Sequence, residues 1–124
     1  MNEAIVLLIL LQIKHWYIDF VNQSMEEVNG KGIYGNWKGL QHSIKHGIGT
    51  MICALMIFGV EYLLYAFIIG LMDFIAHYHI DWAKMNINKK FEYTVETPQF
   101  WTWLGADQLA HQLTYIGILW LTVA

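Results

Sequence analysis

Long apolar stretches interrupted by polar residues at four-residue spacing organise this 124-residue chain. Apolar side chains dominate positions 4–23, 42–60, 62–83 and 99–123, and each stretch approaches the ~20 residues that a helix needs to cross a ~30 Å hydrocarbon core. From Gly47 to Met72 the only charged residue is Glu61. Apolar residues there surround the helix axis instead of forming one stripe, which is the pattern of a lipid-facing segment. The pattern predicts an all-α fold, an integral membrane antiparallel four-helix bundle forming a single transmembrane domain over residues 1–124. Positions 24–41 collect Glu26, Glu27, Asn29, Gly30, Gly32, Gly35 and Asn36, and positions 85–98 are similarly polar, so both are read as long loops. Gly59, Val60 and Glu61 leave room only for a tight turn, making the second and third spans a helical hairpin.

Composition agrees with a membrane class: 56% of residues are hydrophobic and 14% charged, against about 25% charged in an ordinary soluble domain. No basic leader with a small-residue cleavage site precedes the first apolar run, which is therefore expected to be retained as a span. Cys53 is the only cysteine, so an intrachain disulfide is excluded and a small packing residue is expected. A net charge of -3, with seven lysines and no arginine, offers no nucleic-acid surface. Lys31, Lys38, Lys84, Lys89 and Lys90 lie in or beside the two long loops. By the positive-inside rule those loops face the cytoplasm and both termini lie on the outer side. Trp37, Trp82, Trp101 and Trp103 fall at the inner boundary as an aromatic belt, with Trp120 at the outer one.

Against this apolar background stand four sets of ionisable residues: His15 with Asp19, His42 with His46, Asp73 with His77 and Asp81, and Asp107 with His111. Residues four apart share a helix face. The stripes extend to Gln12 and Gln23 in the first span, to Gly49 and Cys53 in the second, where small residues allow close helix approach, and to Gln108 in the fourth. Any one pair taken alone reads more readily as an interhelical hydrogen-bond partner or a chance spacing than as a metal ligand. Antiparallel packing brings all four to one level in the cytoplasmic half, and chance does not favour that convergence. Asp and His projecting inward from facing helices is an arrangement that holds metal ions in helical bundles.

Charge accounting points the same way. An aspartate at the centre of a membrane helix costs about 2.5 to 3.5 kcal/mol on an insertion scale, no arginine is present to pair with four of them, and Lys14 and Lys45 are read as snorkelling outward. One or two divalent cations are expected instead, held by His15, Asp19, His46, His77, Asp81, Asp107 and His111. Gln23, His42, Lys84 and Gln108 are expected as supporting polar residues, with His42 weakened as a ligand by an interfacial position. His79 lies off the stripe and is expected to hydrogen-bond at the interface. Imidazole with carboxylate suits zinc first, and also iron or manganese.

As an ordered set, His15-x3-Asp19-Phe20-x2-Gln23, His42-x3-His46, His77-x3-Asp81-x2-Lys84 and Asp107-Gln108-x2-His111 resemble a small integral-membrane family of bacteria and phages, a domain of unknown function, over nearly the whole chain. That family in turn resembles the membrane-bound metal-dependent hydrolases, multi-span proteins with similarly placed His and Asp. The resemblance implies a metal site and a hydrolytic activity, and suggests a phage gene as one origin. The corresponding expectation is a hydrolase in which metal-activated water, with Asp73 or Asp107 as general base, attacks a lipid or lipid-linked phosphoester, ester or amide at the inner leaflet. Lys14, Lys45 and Lys84 would recruit a phosphate headgroup or simply reach for the interface. Ser43 lacks the surroundings of a nucleophile elbow. The alternative is a non-enzymatic protein whose metal- or proton-binding core acts through partners or ion transfer, although the apolar outer half of every span argues against a through-path. Membrane lipid is the expected partner, nucleic acid is not, and faces left open on four short spans allow a homo-oligomer.

Overall fold

The computed structural model describes residues 2–123; Met1 and Ala124, the ends of the expected domain, lie outside them. Every regular element among the described residues is helical. Helix α1, Glu3–Trp16, begins where the Asn2 side chain accepts the Ala4 amide, and it continues into a π-helical turn, Tyr17–Val21. A short helix α2, Met25–Gly30, opens with a reciprocal capping box between Ser24 and Glu27. The Asn36 side chain accepts the amides of Lys38 and Gly39 and so starts α3, Trp37–Phe58. Gly59, at φ +97°, ends α3 in a conformation that disfavours a side chain. After the 3₁₀ turn Val60–Tyr62 comes α4, Leu63–Lys90, and α5 runs Pro98–Val123.

Two expectations about loops change. The stretch 85–98 is not a long loop, because α4 continues to Lys90, with Lys89 and Lys90 in its last turn where cations favour the helix dipole. The stretch 24–41 is not open either: α2 packs on α3, and a Cβ on Gly39 would stand 2.6 Å from the Gly30 carbonyl oxygen.

The four long helices form a closed ring in which α1 packs against α3 and α5, and α4 against α3 and α5. Neighbours are antiparallel, as paired contacts at both ends of each interface demonstrate: Thr50 meets Asp73 while His42 meets Asp81, and Tyr65 meets Leu121 while His111 meets Asp81. At the end holding the chain start and the tight turn, the interior is apolar, built from Leu7, Leu11, Ala54, Ala66, Ile69 and Ile118. At the other end it is ionic. The outward faces of all four long helices carry exposed apolar residues, including Ile9 on α1, with Phe20 in the π-helical turn that follows, Ile52 on α3, Phe67 on α4 and Leu113 on α5. Two helical stretches, Glu3–Val21 and Val60–Lys90, are long and apolar enough to cross a membrane. Helices α3 and α5 are not among them, since polar residues such as Gln41, Ser43 and Thr50, or Gln108, Gln112 and Thr114, dilute their hydropathy.

Helices α3 and α4 touch through backbone. A Cβ on Gly47 would lie 2.8 Å from the Gly70 oxygen, and one on Gly70 would lie 2.7 Å from the Gly47 oxygen. Overpacking a well-packed site costs about 1–3 kcal/mol, and here the opposing atoms are backbone that cannot rotate away. Gly47→Leu is expected to lower the thermal midpoint of the detergent-solubilised protein by several degrees, whereas Gly105→Ala, where a Cβ meets open space, is not. Equal midpoints for the two variants would contradict this packing.

Candidate metal centre

All four aspartates of the chain and five of its six histidines are buried, and all of these but Asp73 gather at one level of the bundle. Asp19 is the hub. It lies in the π-helical turn, a wide turn that interrupts the ordinary helical repeat and often occurs at functional sites. Its Oδ1 lies 2.8 Å from His46 Nε2, 2.9 Å from His42 Nε2 and 3.7 Å from His77 Nε2. Its Oδ2 lies 3.3 Å from His15 Nε2. A second focus forms around Asp81, whose Oδ1 is 3.1 Å from His111 Nε2 and whose Oδ2 is 3.3 Å from His77 Nε2 and 3.6 Å from His42 Nε2. Asp107 Oδ2 stands 3.6 Å from His111 Nε2. The imidazoles are stacked closely, with ring centroids 3.5 Å apart for His46 and His77 and 3.9 Å for His77 and His111.

Two groups here could hold a metal ion: Asp19, His42, His46 and His77, and His77, Asp81 and His111, each with donor atoms within 4.8 Å of one another. The chemistry of the set fits an ion. Donors held about 2.0–2.1 Å from a tetrahedral ion stand about 3.3 Å from each other, which is the scale of these separations. His42 Nε2, His77 Nε2, Asp81 Oδ2 and Asp107 Oδ1 are buried with no hydrogen-bond partner, an expensive condition for polar atoms. His42 Nε2 is 2.9 Å from a carboxylate oxygen yet not aligned to donate to it, as two ligands of one ion would be placed. Ion identity is not fixed by this donor set.

Other expected residues lie around these groups, among them Asp107, an expected ligand that belongs to neither group although its Oδ2 stands 3.6 Å from His111 Nε2. His15 has both nitrogens engaged, Nδ1 3.1 Å from Tyr115 Oη and Nε2 2.9 Å from Gln108 Oε1, and stands outside both groups. Gln108 Nε2 donates to Asp107 Oδ2 at 3.1 Å, joining His15 to Asp107. Gln23 turns back to donate to the Asp19 carbonyl at 3.0 Å. His42 is fully buried, so its expected interfacial position is corrected: it sits between Asp19 and Asp81. His79 is exposed and lies 3.0 Å from Tyr34 Oη, off the cluster. Asp73 is set deeper, outside both groups, where its Oδ2 accepts from Lys14 at 2.9 Å and Thr50 at 2.5 Å.

The largest correction concerns the lysines. Lys14 does not snorkel outward. It is 8% exposed, donates to Asp73 and to Tyr115 Oη at 2.9 Å each, and lies 3.1 Å from His46 Nδ1. Lys31 Nζ is 3.4 Å from Asp81 and Lys84 Nζ 3.6 Å from Asp107. Three aspartates therefore have an ammonium partner, and the unmet negative charge concentrates on Asp19, which histidines alone surround among the described residues.

Helix α2 covers this end. Glu27 lies 2.5 Å from Lys45 Nζ and, through Oε2, 3.5 Å from His42 Nδ1, without a hydrogen bond to it. Burial works to raise the Glu27 pKa, but the hydrogen bond and charge of Lys45, with the Ser24 amide, hold it below the usual carboxylate range. Lys45 is likewise tied down, donating to the Asn22 carbonyl and side chain at 3.0 Å.

Five participants were not singled out from the sequence: Lys14 in its buried position, Thr50, Tyr115, Glu27 and Lys31. Signals for three existed, since Lys14 continues the Leu7, Leu11, Ile18 stripe, Thr50 follows His46 by four and Tyr115 follows His111 by four. Glu27 and Lys31 carried no such signal beyond the capping box.

Neither the curated proteins nor the solved structures include a match to this chain. A family model does match, over residues 7–124, a range that takes in every residue of the centre just described: the chain belongs to the family described as "Protein of unknown function (DUF3307)".

Proposed function

We propose that this protein is an integral inner-membrane metalloenzyme, a metal-dependent hydrolase acting at the inner leaflet on a lipid or lipid-linked phosphoester, ester or amide. The observation that carries the reading is the convergence of imidazole nitrogens from α3, α4 and α5 on the Asp19 and Asp81 carboxylates, with buried donor atoms left without partners. The inverted distribution of polarity supports the membrane placement: exposed apolar faces lie on all four long helices, including α3 and α5, and hydrocarbon rather than water suits such faces. Residues 4–23, 42–60, 62–83 and 99–123 then span, with both termini outside and the cap at the cytoplasmic end.

Zinc is the first candidate ion, with iron or manganese next, and such an ion lowers the pKa of water to about 7 and polarises the oxygen of the scissile group. Of the two carboxylates expected as bases, Asp107 is the one whose Oδ1, without a partner, can meet an ion or the water on it, while Asp73 is fully engaged by Lys14 and Thr50. Lys31 and Lys84, at the same end, are positioned to meet a phosphate. Gln108 holds His15 and Asp107 in fixed relation.

Burial of the whole cluster favours a second reading, a closed metal- or proton-binding core that acts through partners or ion transfer. A screen of detergent-purified, metal-loaded protein against lipid phosphoesters, esters and amides separates the two. Turnover that disappears in Asp107→Asn supports the hydrolase, and its absence for every class, with metal bound, supports the closed core. Topology is checked independently. Glu96→Cys in a Cys53→Ala background is expected to be labelled by an impermeant maleimide only from the cytoplasmic side, and labelling from outside alone would reverse the orientation.

A further inference from the structure

The proposed metalloenzyme leaves open how many ions the centre holds. We infer that it holds two, bridged by the Asp81 carboxylate, with Asp19, His42 and His46 on one ion and Asp107 and His111 on the other. This rests on the reading of the cluster as a metal centre and goes beyond it by dividing the ligands.

The two oxygens of Asp81 face different partners. Oδ1 is 3.1 Å from His111 Nε2, while Oδ2 is 3.3 and 3.6 Å from the Nε2 atoms of His77 and His42. A carboxylate serving one ion in a bidentate manner would present both oxygens to the same set. The nitrogens also divide, because an imidazole Nε2 has one lone pair and serves one ion. His42 and His46 belong with Asp19, at 2.9 and 2.8 Å. His111 lies between Asp81 and Asp107. His77 is shared by the two groups, 3.7 Å from Asp19 Oδ1 and 3.3 Å from Asp81 Oδ2, and completes one shell or the other.

The buried atoms without partners fall on both sides of this division: His42 Nε2 on the first, Asp107 Oδ1 on the second, and His77 Nε2 and Asp81 Oδ2 between them. A single ion would satisfy one side and leave the other orphaned. Two ions sharing a carboxylate satisfy both.

Charge then specifies the substrate class. Lys14, Lys31, Lys45 and Lys84 face four aspartates and Glu27, so the layer carries about one net negative charge when its imidazoles are neutral. Two divalent ions make it strongly positive, and a bound anion restores balance. Of the lipid-linked bonds considered, the phosphoester supplies that anion, and paired ions are a recurrent means of clamping a phosphoryl group during displacement.

The test loads detergent-purified wild-type protein with Mn(II), removes excess ion, and measures metal per chain together with the electron paramagnetic resonance spectrum. Two equivalents are expected, with the spectrum of a spin-coupled pair. His46→Ala and His111→Ala are each expected to keep one equivalent and show an isolated-ion spectrum. One equivalent in the wild type, or two with uncoupled spectra, overturns the bridged pair while leaving a metal centre in place. No bound Mn(II), zinc or iron in the wild type overturns the metal centre itself. The wild-type measurement decides between these outcomes even if a variant fails to fold.

Discussion

Asp19→Ala is expected to yield a protein that inserts and folds but is purified without the ion that Asp19, His42 and His46 hold. Three imidazole nitrogens lie within 3.7 Å of Asp19 Oδ1, and a fourth imidazole approaches Oδ2. It is also the aspartate whose charge no lysine offsets among the described residues. Removing it takes away a ligand and the charge that most needs a cation. The loss in affinity should exceed the roughly 10- to 100-fold that outer-shell partners contribute. Glu27→Gln, which alters only the contact to His42 Nδ1 and the Lys45 pair, provides the outer-shell comparison and should fall within that smaller range. Elemental analysis of both variants after identical purification checks the ordering. Metal content equal to that of the wild type in Asp19→Ala would remove Asp19 from the centre.

Lys14→Met should be the most destabilising single change outside the metal-binding groups. The lysine and Asp73 are 8% and 1% exposed, and truncating one member of a buried pair leaves an uncompensated charge, at a cost of about 3–5 kcal/mol. Replacing both, Lys14→Met with Asp73→Asn, removes the stranded charge and preserves an acceptor for the Thr50 hydroxyl, so most of the lost stability should return. Reversible unfolding of the three proteins in mixed micelles measures this directly. A double variant no more stable than the single one would show that the pair is not what the ammonium contributes. In that event its contacts with Tyr115 and His46 would be the important ones.

The pairs at four-residue spacing were legible because helical geometry places them on one face whatever the tertiary structure, and antiparallel connection by a tight turn at Gly59 then fixes their common level. Lys14 was not, because a lysine in an apolar helix has two low-cost solutions, reaching outward to the interface or pairing inward, and only the position of Asp73 on another helix decides between them. Glu27 and Lys31 were hidden for a different reason. Residues 24–36 have the composition of a solvated loop, and it is the close contact of Gly30 with Gly39 that lays α2 against α3 and carries both charges inward. The π-helical turn leaves no periodic trace in five residues. Its presence explains how Asp19 serves as hub for side chains on α3 and α4 as well as for His15. Helices α3 and α5 fall short of the apolarity expected of them because polar residues facing the centre lower their average hydropathy, while exposed apolar side chains such as Ile52 and Leu113 occupy their outer faces.

The cap formed by α2 has a kinetic corollary. Its Glu27, and Lys31 just past its last residue, are joined to Lys45 and to Asp81 across the end of the centre that it covers, so an ion that enters or leaves there must wait for both pairs to part. Exchange is then timed by the opening of a short helix rather than by the strength of the ligands, and a chelator that wins thermodynamically will still strip the ion slowly. Loading is easiest before α2 docks, which makes metal content a record of the ions present while the chain was folding.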